Sequence, residues 1–167
     1  MSALQKALST IREQASNTTE LGNAFERLSK VFLENDATQT QQYSKVWHYE
    51  DWAKEHEGYS VKDIGIDLVA KLRDEEGYCA VQCKFYEAEH SISKSDLDSF
   101  ISASSTNDFT RLMLIDTSTQ PIGSNAQTVF NNINQDYIRI QLSELEESRI
   151  DWSSYINDGT VRLHSKK

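Results

Sequence analysis

Proline, cysteine and histidine are all scarce in this sequence of 167 residues, which has one proline (Pro121), two cysteines and four histidines. The single proline, the 38% of hydrophobic residues and the lack of a low-complexity run exclude a disordered chain. No apolar stretch is long enough to cross a bilayer, and the N-terminus does not have the pattern of a signal peptide. We therefore expect a globular, cytoplasmic protein with no membrane partner.

The few cysteines and histidines give no sign of a disulfide or a zinc site. Cys79 and Cys83 lie in one predicted strand and on its buried face, so we expect two reduced thiols in the core. The histidines show no zinc-ligand spacing with the cysteines or with one another; they are His48, His56, His90 and His164. We expect neither a structural zinc nor a histidine-based active site.

Basic residues are also in deficit, which bears on any interaction with nucleic acid. Lys and Arg number 17 against 26 Asp and Glu, and the net charge is −9. A protein that binds DNA by itself usually has a basic surface. Either the basic residues cluster locally, or other domains of a longer polypeptide hold the DNA. The last residues, 161–167, are typical of a linker to further domains, which favours the second explanation.

The spacing of apolar residues predicts an α/β domain. Helices are predicted at 2–15, from Asn17 onwards, at 51–56, 93–102 and 125–132, and from Ser143 towards Ile156. Strands are predicted at 45–49, 65–72, 78–86, 109–116 and 137–142. Glu20 and Glu146 have the spacing of capping-box partners to the first residues of two of these helices. This order predicts a single domain at 1–160, with a mixed β-sheet flanked by helices.

The second and third predicted strands form a hairpin with polar groups on one face. If Glu75 and Glu76 form a two-residue loop, Asp67 lies directly opposite Lys84, with Cβ atoms about 5 Å apart. Gln82 shares that face because side chains alternate along a strand. The other face is wholly apolar; it carries Ile66, Leu68, Ala70, Leu72, Cys79, Val81, Cys83 and Phe85.

A carboxylate, an amide and an ammonium on one face suit the hydrolysis of a phosphodiester. Mg²⁺ is held by one or two carboxylates, backbone oxygens and water, and Asp67 and the Cys83 carbonyl can supply two of these. Lys84 can orient or deprotonate the attacking water, or stabilise phosphate charge. Gln82 can bind the metal or its water, or merely hydrogen-bond its neighbours. An ordinary Asp67–Lys84 ion pair is the alternative, but partly buried polar groups are costly without a role.

Three short motifs resemble the PD-(D/E)xK nuclease superfamily, and in particular its Mrr-like branch, in which Gln replaces the second acid. They are Gly65-Ile66-Asp67, Gln82-Cys83-Lys84, and Gly22-Asn23-Ala24-Phe25-Glu26, which is similar to the G-x-x-F-E of the family's first helix. The resemblance covers about residues 18–142 and implies a restriction-endonuclease-like core that cuts double-stranded DNA with Mg²⁺, for which Mn²⁺ can substitute. It implies catalytic roles for Asp67, Gln82, Lys84 and Glu26, and metal ligation by Asp67, Cys83, Gln82 and Glu26.

The chain is similar, more narrowly, to the N-terminal nuclease domains of Type I single-polypeptide restriction–modification enzymes. In these a helicase-like motor, a methyltransferase and a target-recognition domain follow the nuclease. The resemblance implies that specificity and translocation reside in those domains, and that a second nuclease copy is needed to cut both strands. Two departures from the superfamily pattern are Ile66 in place of Pro and the missing second strand carboxylate. Catalysis would therefore rely more heavily on Asp67 and Lys84.

Other candidates have weaker support from the sequence. Glu26 lies roughly 120° from the centre of its helix's apolar stripe, which favours a flanking or solvated side chain. Asp63 is a possible second acid, although its position before the strand favours a turn. The aromatics Trp47, Tyr49 and Trp52 can stack on bases, but core positions are commoner for such residues. Lys45, Lys54 and Lys62 can contact phosphates or form a solvated face.

A catalytically inactive nuclease-like module that docks DNA or another protein is the alternative function. The negative charge and the absent second carboxylate would suit it. Resolution of Holliday junctions is a further option, disfavoured because the sequence shows no strongly basic surface for a dimer.

Overall fold

The computed structural model describes residues 2–62 and 65–164, and within them the chain forms eight helices and five strands. The helices are α1 (Ala3–Gln14), α2 (Thr18–Asn35), α3 (Ala37–Gln42), α4 (Tyr49–Lys54), α5 (Lys94–Ala103), α6 (Ser124–Asn132), α7 (Leu142–Glu147) and α8 (Trp152–Asp158). The strands are β1 (Tyr43–His48), β2 (Leu68–Leu72), β3 (Tyr78–Lys84), β4 (Phe109–Asp116) and β5 (Asp136–Ile140). No helix in these residues is long and apolar enough to cross a membrane.

The five strands form one mixed sheet in the order β1-β2-β3-β4-β5. The pairs β1/β2 and β2/β3 are antiparallel, whereas β3/β4 and β4/β5 are parallel. Helices α1, α2, α7 and α8 contribute to the apolar core on one face, and α4, α5 and α6 to the core on the other. This architecture confirms the predicted mixed sheet flanked by helices.

The β2/β3 hairpin has a register that differs from the predicted one by two residues. Leu68 pairs with Val81, whereas the predicted register would place Leu68 opposite Cys83 and Asp67 opposite Lys84. The prediction that Asp67 and Lys84 lie directly opposite each other is therefore wrong. Because the shift is an even number of residues, each side chain keeps its face of the sheet.

The hairpin loop is longer than the two residues predicted, and Arg73 belongs to it. Its backbone N–H donates to the Gln42 carbonyl at 2.9 Å, and its guanidinium donates to the carbonyls of Thr40 and Tyr43. These bonds tie Arg73 to the segment before and at the start of β1. The turn begins earlier in the sequence than predicted, with the Leu72 N–H donating to the Gly77 carbonyl at 3.3 Å.

The face of the hairpin that was predicted to be polar is also covered by a core. Val69 and Ala80 are fully buried in the cluster beneath α4, α5 and α6, and the polar side chains of this face lie at its two ends, with Lys71 at the end opposite the acid. Ile66 was predicted on the opposite face, and that prediction is wrong, because Ile66 also belongs to this cluster. It precedes β2, and Gly65 before it has φ +102°, so strand alternation does not extend to it.

The C-terminal helix predicted from Ser143 is in fact two helices. Gln141 caps α7 in a box with Glu144, so the predicted pair of Ser143 and Glu146 is wrong. Helix α7 ends at Glu147. Ile150, which precedes α8, then forms an antiparallel β-bridge with Leu163, which follows α8. Arg162 and His164 of the predicted linker form backbone hydrogen bonds with Asp151 and Arg149, the side chains of 161–164 are exposed, and 165–167 lie outside the described residues.

Aromatic residues at the end of β1 and in α4 fill the second core, as expected. Tyr49 and Trp52 are buried, and Trp47 packs against the same cluster. Trp52 stacks on His56 with ring centroids 4.2 Å apart.

At the start of α2, Asn17 accepts from the Glu20 N–H as predicted, although the Glu20 carboxylate accepts from the backbone of Ser16.

Cys79 and Cys83 are free, buried thiols, which confirms the expectation of reduced core cysteines. Burial raises the pKa of Cys79 to about 12, and burial together with the nearby Asp67 raises the pKa of Cys83 well above its usual range. A thiol must ionise to react as a nucleophile, so both should be inert in the native protein.

Thiol titration checks this arrangement. We expect neither cysteine of the native chain to react with an aromatic disulfide reagent at mildly alkaline pH, and both to react promptly in concentrated guanidinium chloride. Rapid reaction of either thiol under native conditions would contradict the burial described for β3.

Candidate active site

The polar residues of the hairpin open into a cleft of about 690 Å³ at the end of the sheet where β2 begins and β3 ends. The first turns of α2 and α5 form its other walls. The cleft brings together every residue predicted for the site: Glu26, Asp67, Gln82, Cys83 and Lys84. Their convergence depends on one short stretch of sheet and one helix. Asp63, the other candidate acid, lies outside the described residues.

Asp67 is the most firmly held of these side chains. Its Oδ2 accepts hydrogen bonds from Gln82 Nε2 at 2.9 Å and from the Cys83 N–H at 2.7 Å. Its backbone N–H donates to the Val81 carbonyl, and its carbonyl accepts from the Tyr49 N–H at 3.0 Å. Strand β3 and the first residue of α4 thus fix the backbone of Asp67, while β3 also orients its carboxylate.

Gln82 and Lys84 occupy the cleft side of β3. Gln82 is only 6% exposed. An ionised carboxylate only accepts, so the amide nitrogen of Gln82 must face Asp67, and its amide oxygen is the atom available as a ligand. Lys84 is the last residue of β3 and lies half-buried in the cleft, farther along the strand than Gln82.

Glu26 lies on the flank of α2 that faces the cleft. The core-facing stripe of this helix buries Phe25 and Leu28, so the position of Glu26 beside the stripe agrees with the helical-wheel expectation. Its side chain is 23% exposed, and Oε2 is 2.7 Å from His48 Nδ1. Glu26 and Asp67 together also line a second cavity of about 430 Å³ that adjoins β1 and α4.

His48 lines this second cavity, and the sequence did not reveal its place beside the site. It ends β1, the strand that pairs with β2, so the Leu68 beside Asp67 is its direct cross-strand partner. The sequence held one usable signal, namely a histidine at the end of a strand adjacent to the acid-bearing strand. The contact with α2 depends on how the helix packs on the sheet, which local pattern does not specify.

Helix α5 closes the opposite wall with Ser95, Asp96 and Ser99. Burial alone would raise the pKa of Asp96, but hydrogen bonds from the Ser93 backbone and from His90 outweigh it and lower the pKa. Asp96 caps α5 in a box with Ser93, so its carboxylate already has a structural role. We therefore do not assign it as a ligand.

The donor set of the cleft fits a hard divalent cation. Two carboxylates, one amide oxygen and the Cys83 backbone carbonyl are all oxygen donors, which Mg²⁺ and Mn²⁺ prefer. Across residues 2–62 and 65–164, no group of three or more His, Cys, Asp or Glu side chains is placed to hold a metal. Mg²⁺ usually retains several waters and needs only one or two carboxylates, so two are sufficient.

A mixed five-stranded sheet with an Asp and a Gln-x-Lys at one end defines a class of protein, the nuclease domains of restriction-endonuclease type. Residues 34–161 match the restriction endonuclease family Mrr_cat_2, and the chain belongs to this family. It is therefore a DNA endonuclease domain, of a kind that typically depends on a metal ion. The match includes Asp67, Gln82 and Lys84 but begins after Glu26. No curated protein matches the chain.

Three solved structures resemble this fold. The ATP-dependent Type ISP restriction-modification enzyme LlaBIII bound to DNA matches with a TM-score of 0.71 and 28% identity, over 90% of this chain and 9% of that one. The modification-dependent restriction endonuclease AspBHI matches with a TM-score of 0.51 and 14% identity, over 95% of this chain and 36% of that one. MspJI in complex with a 27-mer oligonucleotide matches with a TM-score of 0.50 and 13% identity, over 94% of this chain and 33% of that one. The last two show the fold alone, and this chain spans under a tenth of LlaBIII.

Gly65 should prove essential because it has no side chain. A Cβ at this position would lie 2.7 Å from the backbone carbon of Ser99 in α5, and φ is +102°. Gly58 is a matched control, since its φ is +88° but nothing lies within 4 Å. In urea denaturation, Gly58→Ala should lose about 1 kcal/mol from backbone strain alone. Gly65→Ala should lose a further ~1–3 kcal/mol from the collision. Equal losses would contradict the close packing of α5 against this loop.

Gln82→Glu should couple folding stability to metal. The change removes the amide donor to Asp67 and brings two carboxylates together, so the free energy of unfolding in chelator should fall by about 1–3 kcal/mol. Mn²⁺ should recover most of this loss, because a cation between the carboxylates offsets their repulsion. Gln127→Glu, on the exposed face of α6, is the control and should respond to neither. A Gln82→Glu variant that is equally stable with and without chelator would contradict the site geometry.

Proposed function

We propose that the chain is a Mg²⁺-dependent endonuclease domain that hydrolyses backbone phosphodiesters of double-stranded DNA. The observation that carries the proposal is the Asp67 carboxylate, which Gln82 and the Cys83 N–H hold in one orientation within a cleft shared with Glu26 and Lys84. A preoriented carboxylate between oxygen donors and a cation is the arrangement that metal-assisted phosphodiester hydrolysis requires. Mn²⁺ should substitute for Mg²⁺, because it accepts the same donors.

Each cleft residue has a separate role in this proposal. Asp67 is the principal metal ligand, and the Cys83 carbonyl, the Gln82 amide oxygen and Glu26 complete the protein's share. When bound, the divalent cation neutralises phosphate charge and activates the attacking water. Lys84 donates hydrogen bonds to the scissile phosphate or its attacking water. Water then adds to phosphorus in line, the bond to the leaving oxygen breaks, and no covalent enzyme intermediate forms.

The grip on DNA would lie mainly outside this domain. With a net charge of −9, the chain has no general attraction for a polyanion. LlaBIII is a Type ISP enzyme in which a region similar to this chain makes up 9% of the polypeptide. We therefore place the chain as the nuclease domain of a cytoplasmic restriction enzyme, with helicase-like, methyltransferase and target-recognition domains. A second nuclease copy would cut the other strand.

Isosteric loss of charge in the cleft tests the proposal. Asp67→Asn keeps an acceptor for the Cys83 N–H but removes the charge, and Lys84→Met keeps the length of the side chain without its ammonium. In a plasmid-nicking assay at low salt with Mg²⁺ or Mn²⁺, each should lower the rate at least about 100-fold. Asp98→Asn, which removes the acid of an exposed ion pair on α5, should nick at the parent rate.

Two results would overturn the proposal in different ways. If Asp67→Asn or Lys84→Met nicks as fast as the parent chain, the assigned site is wrong. If the parent binds DNA but fails to nick it with every divalent cation tested, the chain is the inactive docking module that its acidic charge would also suit.

A further inference from the structure

The contact between Glu26 and His48 joins two elements that are far apart in the sequence. His48 Nδ1 lies 2.7 Å from Glu26 Oε2, with side-chain exposures of 35% and 23%. The ionised carboxylate can only accept, so the proton of this bond belongs to Nδ1. The pair therefore links the end of β1 to the cleft side of α2 by one directed hydrogen bond.

The backbone beneath Glu26 is fixed independently of this contact. Phe25 is fully buried, and its ring centroid is 5.4 Å from that of Phe85, just beyond the end of β3. What remains variable at Glu26 is the rotamer of a long side chain on the edge of a cleft. Such a side chain has several accessible rotamers unless a partner selects one.

The same end of β1 also holds the other acid. Tyr49, the residue after His48, donates its backbone N–H to the Asp67 carbonyl at 3.0 Å. Its hydroxyl donates to the Ser60 carbonyl, which ties this segment to the loop after α4. Two consecutive residues therefore contact the two acidic residues of the cleft: His48 bonds to the Glu26 carboxylate, and Tyr49 bonds to the Asp67 backbone.

We infer that His48 is a positioning residue for the metal site: its Nδ1–H selects the Glu26 rotamer that turns the carboxylate towards Asp67. The inference rests on the proposed function, since it assumes that Glu26 and Asp67 ligate the cation. An ordinary surface ion pair is the competing explanation for such a contact. It would leave metal affinity unchanged when broken, whereas partners that orient a ligand typically change affinity about 10- to 100-fold.

Titration calorimetry with Mn²⁺ on the chain, without DNA, separates these explanations. His48→Ala and His48→Gln should each weaken Mn²⁺ binding about 10- to 100-fold, because neither places a donor where Nδ1 lies. His48→Asn carries an amide nitrogen near that position and should bind close to the parent value. Lys30→Ala breaks an ion pair with Glu34 on α2, at 2.9 Å, that lines neither cavity of the site, and it should also match the parent.

The same variants distinguish this inference from the proposed function. If Asp67→Asn and Glu26→Gln weaken Mn²⁺ binding but His48→Ala and His48→Gln do not, His48 has no positioning role and the metal site stands. If Asp67→Asn and Glu26→Gln bind Mn²⁺ like the parent, the metal site itself is wrong and the inference fails with it. His48→Asn binding as weakly as His48→Gln would also overturn the role of the Nδ1 donor.

Nicking kinetics add a readout that a structural defect would not give. His48→Gln should raise the Mn²⁺ concentration for half-maximal rate, while excess Mn²⁺ restores the parent rate. Lys84→Met should remain slow at every metal concentration. Equal melting temperatures of the His48 variants in chelator would show that they are folded. If His48→Ala does not fold, the difference in Mn²⁺ affinity between His48→Asn and His48→Gln still decides whether the Nδ1 donor matters.

Discussion

The carboxylate of Asp67 accepts hydrogen bonds from the Gln82 side chain and from the backbone N–H of Cys83, and this pair of bonds joins the start of β2 to the end of β3. The acid lies just before the strand, after a glycine with positive φ, where strand pairing alone would not fix a side chain. The bonds from β3 supply that constraint. They also place the Cys83 main chain and the Gln82 amide beside the carboxylate, so the donors assigned to the metal are adjacent before any metal arrives.

Gln82 resolves a conflict that a second acid would create at this point. A carboxylate there would stand next to Asp67 and repel it in the absence of a cation. The amide instead donates to Asp67 through nitrogen and presents oxygen to the cleft. The cost is one fewer negative charge for holding the metal, which gives Glu26 on α2 a larger share of the ligation in our proposal. Because Glu26 carries that larger share, metal binding depends on the orientation of its side chain and hence on His48.

Local pattern was enough to predict most helices and strands, because their apolar spacing is regular: β4 was predicted at its observed bounds, and α1, α5 and α6 to within a residue or two. It was enough to group Asp67, Gln82 and Lys84 on one face. It failed on the hairpin register, because the loop is longer than the two residues assumed and Leu72, not Asp74, bonds to Gly77. Local pattern could not predict that α5 lines the cleft or that His48 contacts Glu26, since both depend on contacts between segments distant in sequence.

The acidic charge and the family fit together when the chain is considered as one part of a larger enzyme. A member of the restriction endonuclease family must act on a polyanion, yet this chain has nine more negative than positive charges. In our proposal the divalent cation and Lys84 neutralise the scissile phosphate locally, and other domains supply the long-range attraction. Cleavage then depends on delivery of DNA to the cleft, which suits an enzyme that must not cut before its target is recognised.

Anomalous diffraction from crystals soaked in Mn²⁺ tests the central claim most directly. The account predicts a peak in the cleft within bonding distance of the Asp67 carboxylate and the Cys83 carbonyl, with the Glu26 carboxylate turned towards it. A soaked crystal with Mn²⁺ bound only elsewhere, or with the cleft free of anomalous density at a saturating concentration, would contradict it.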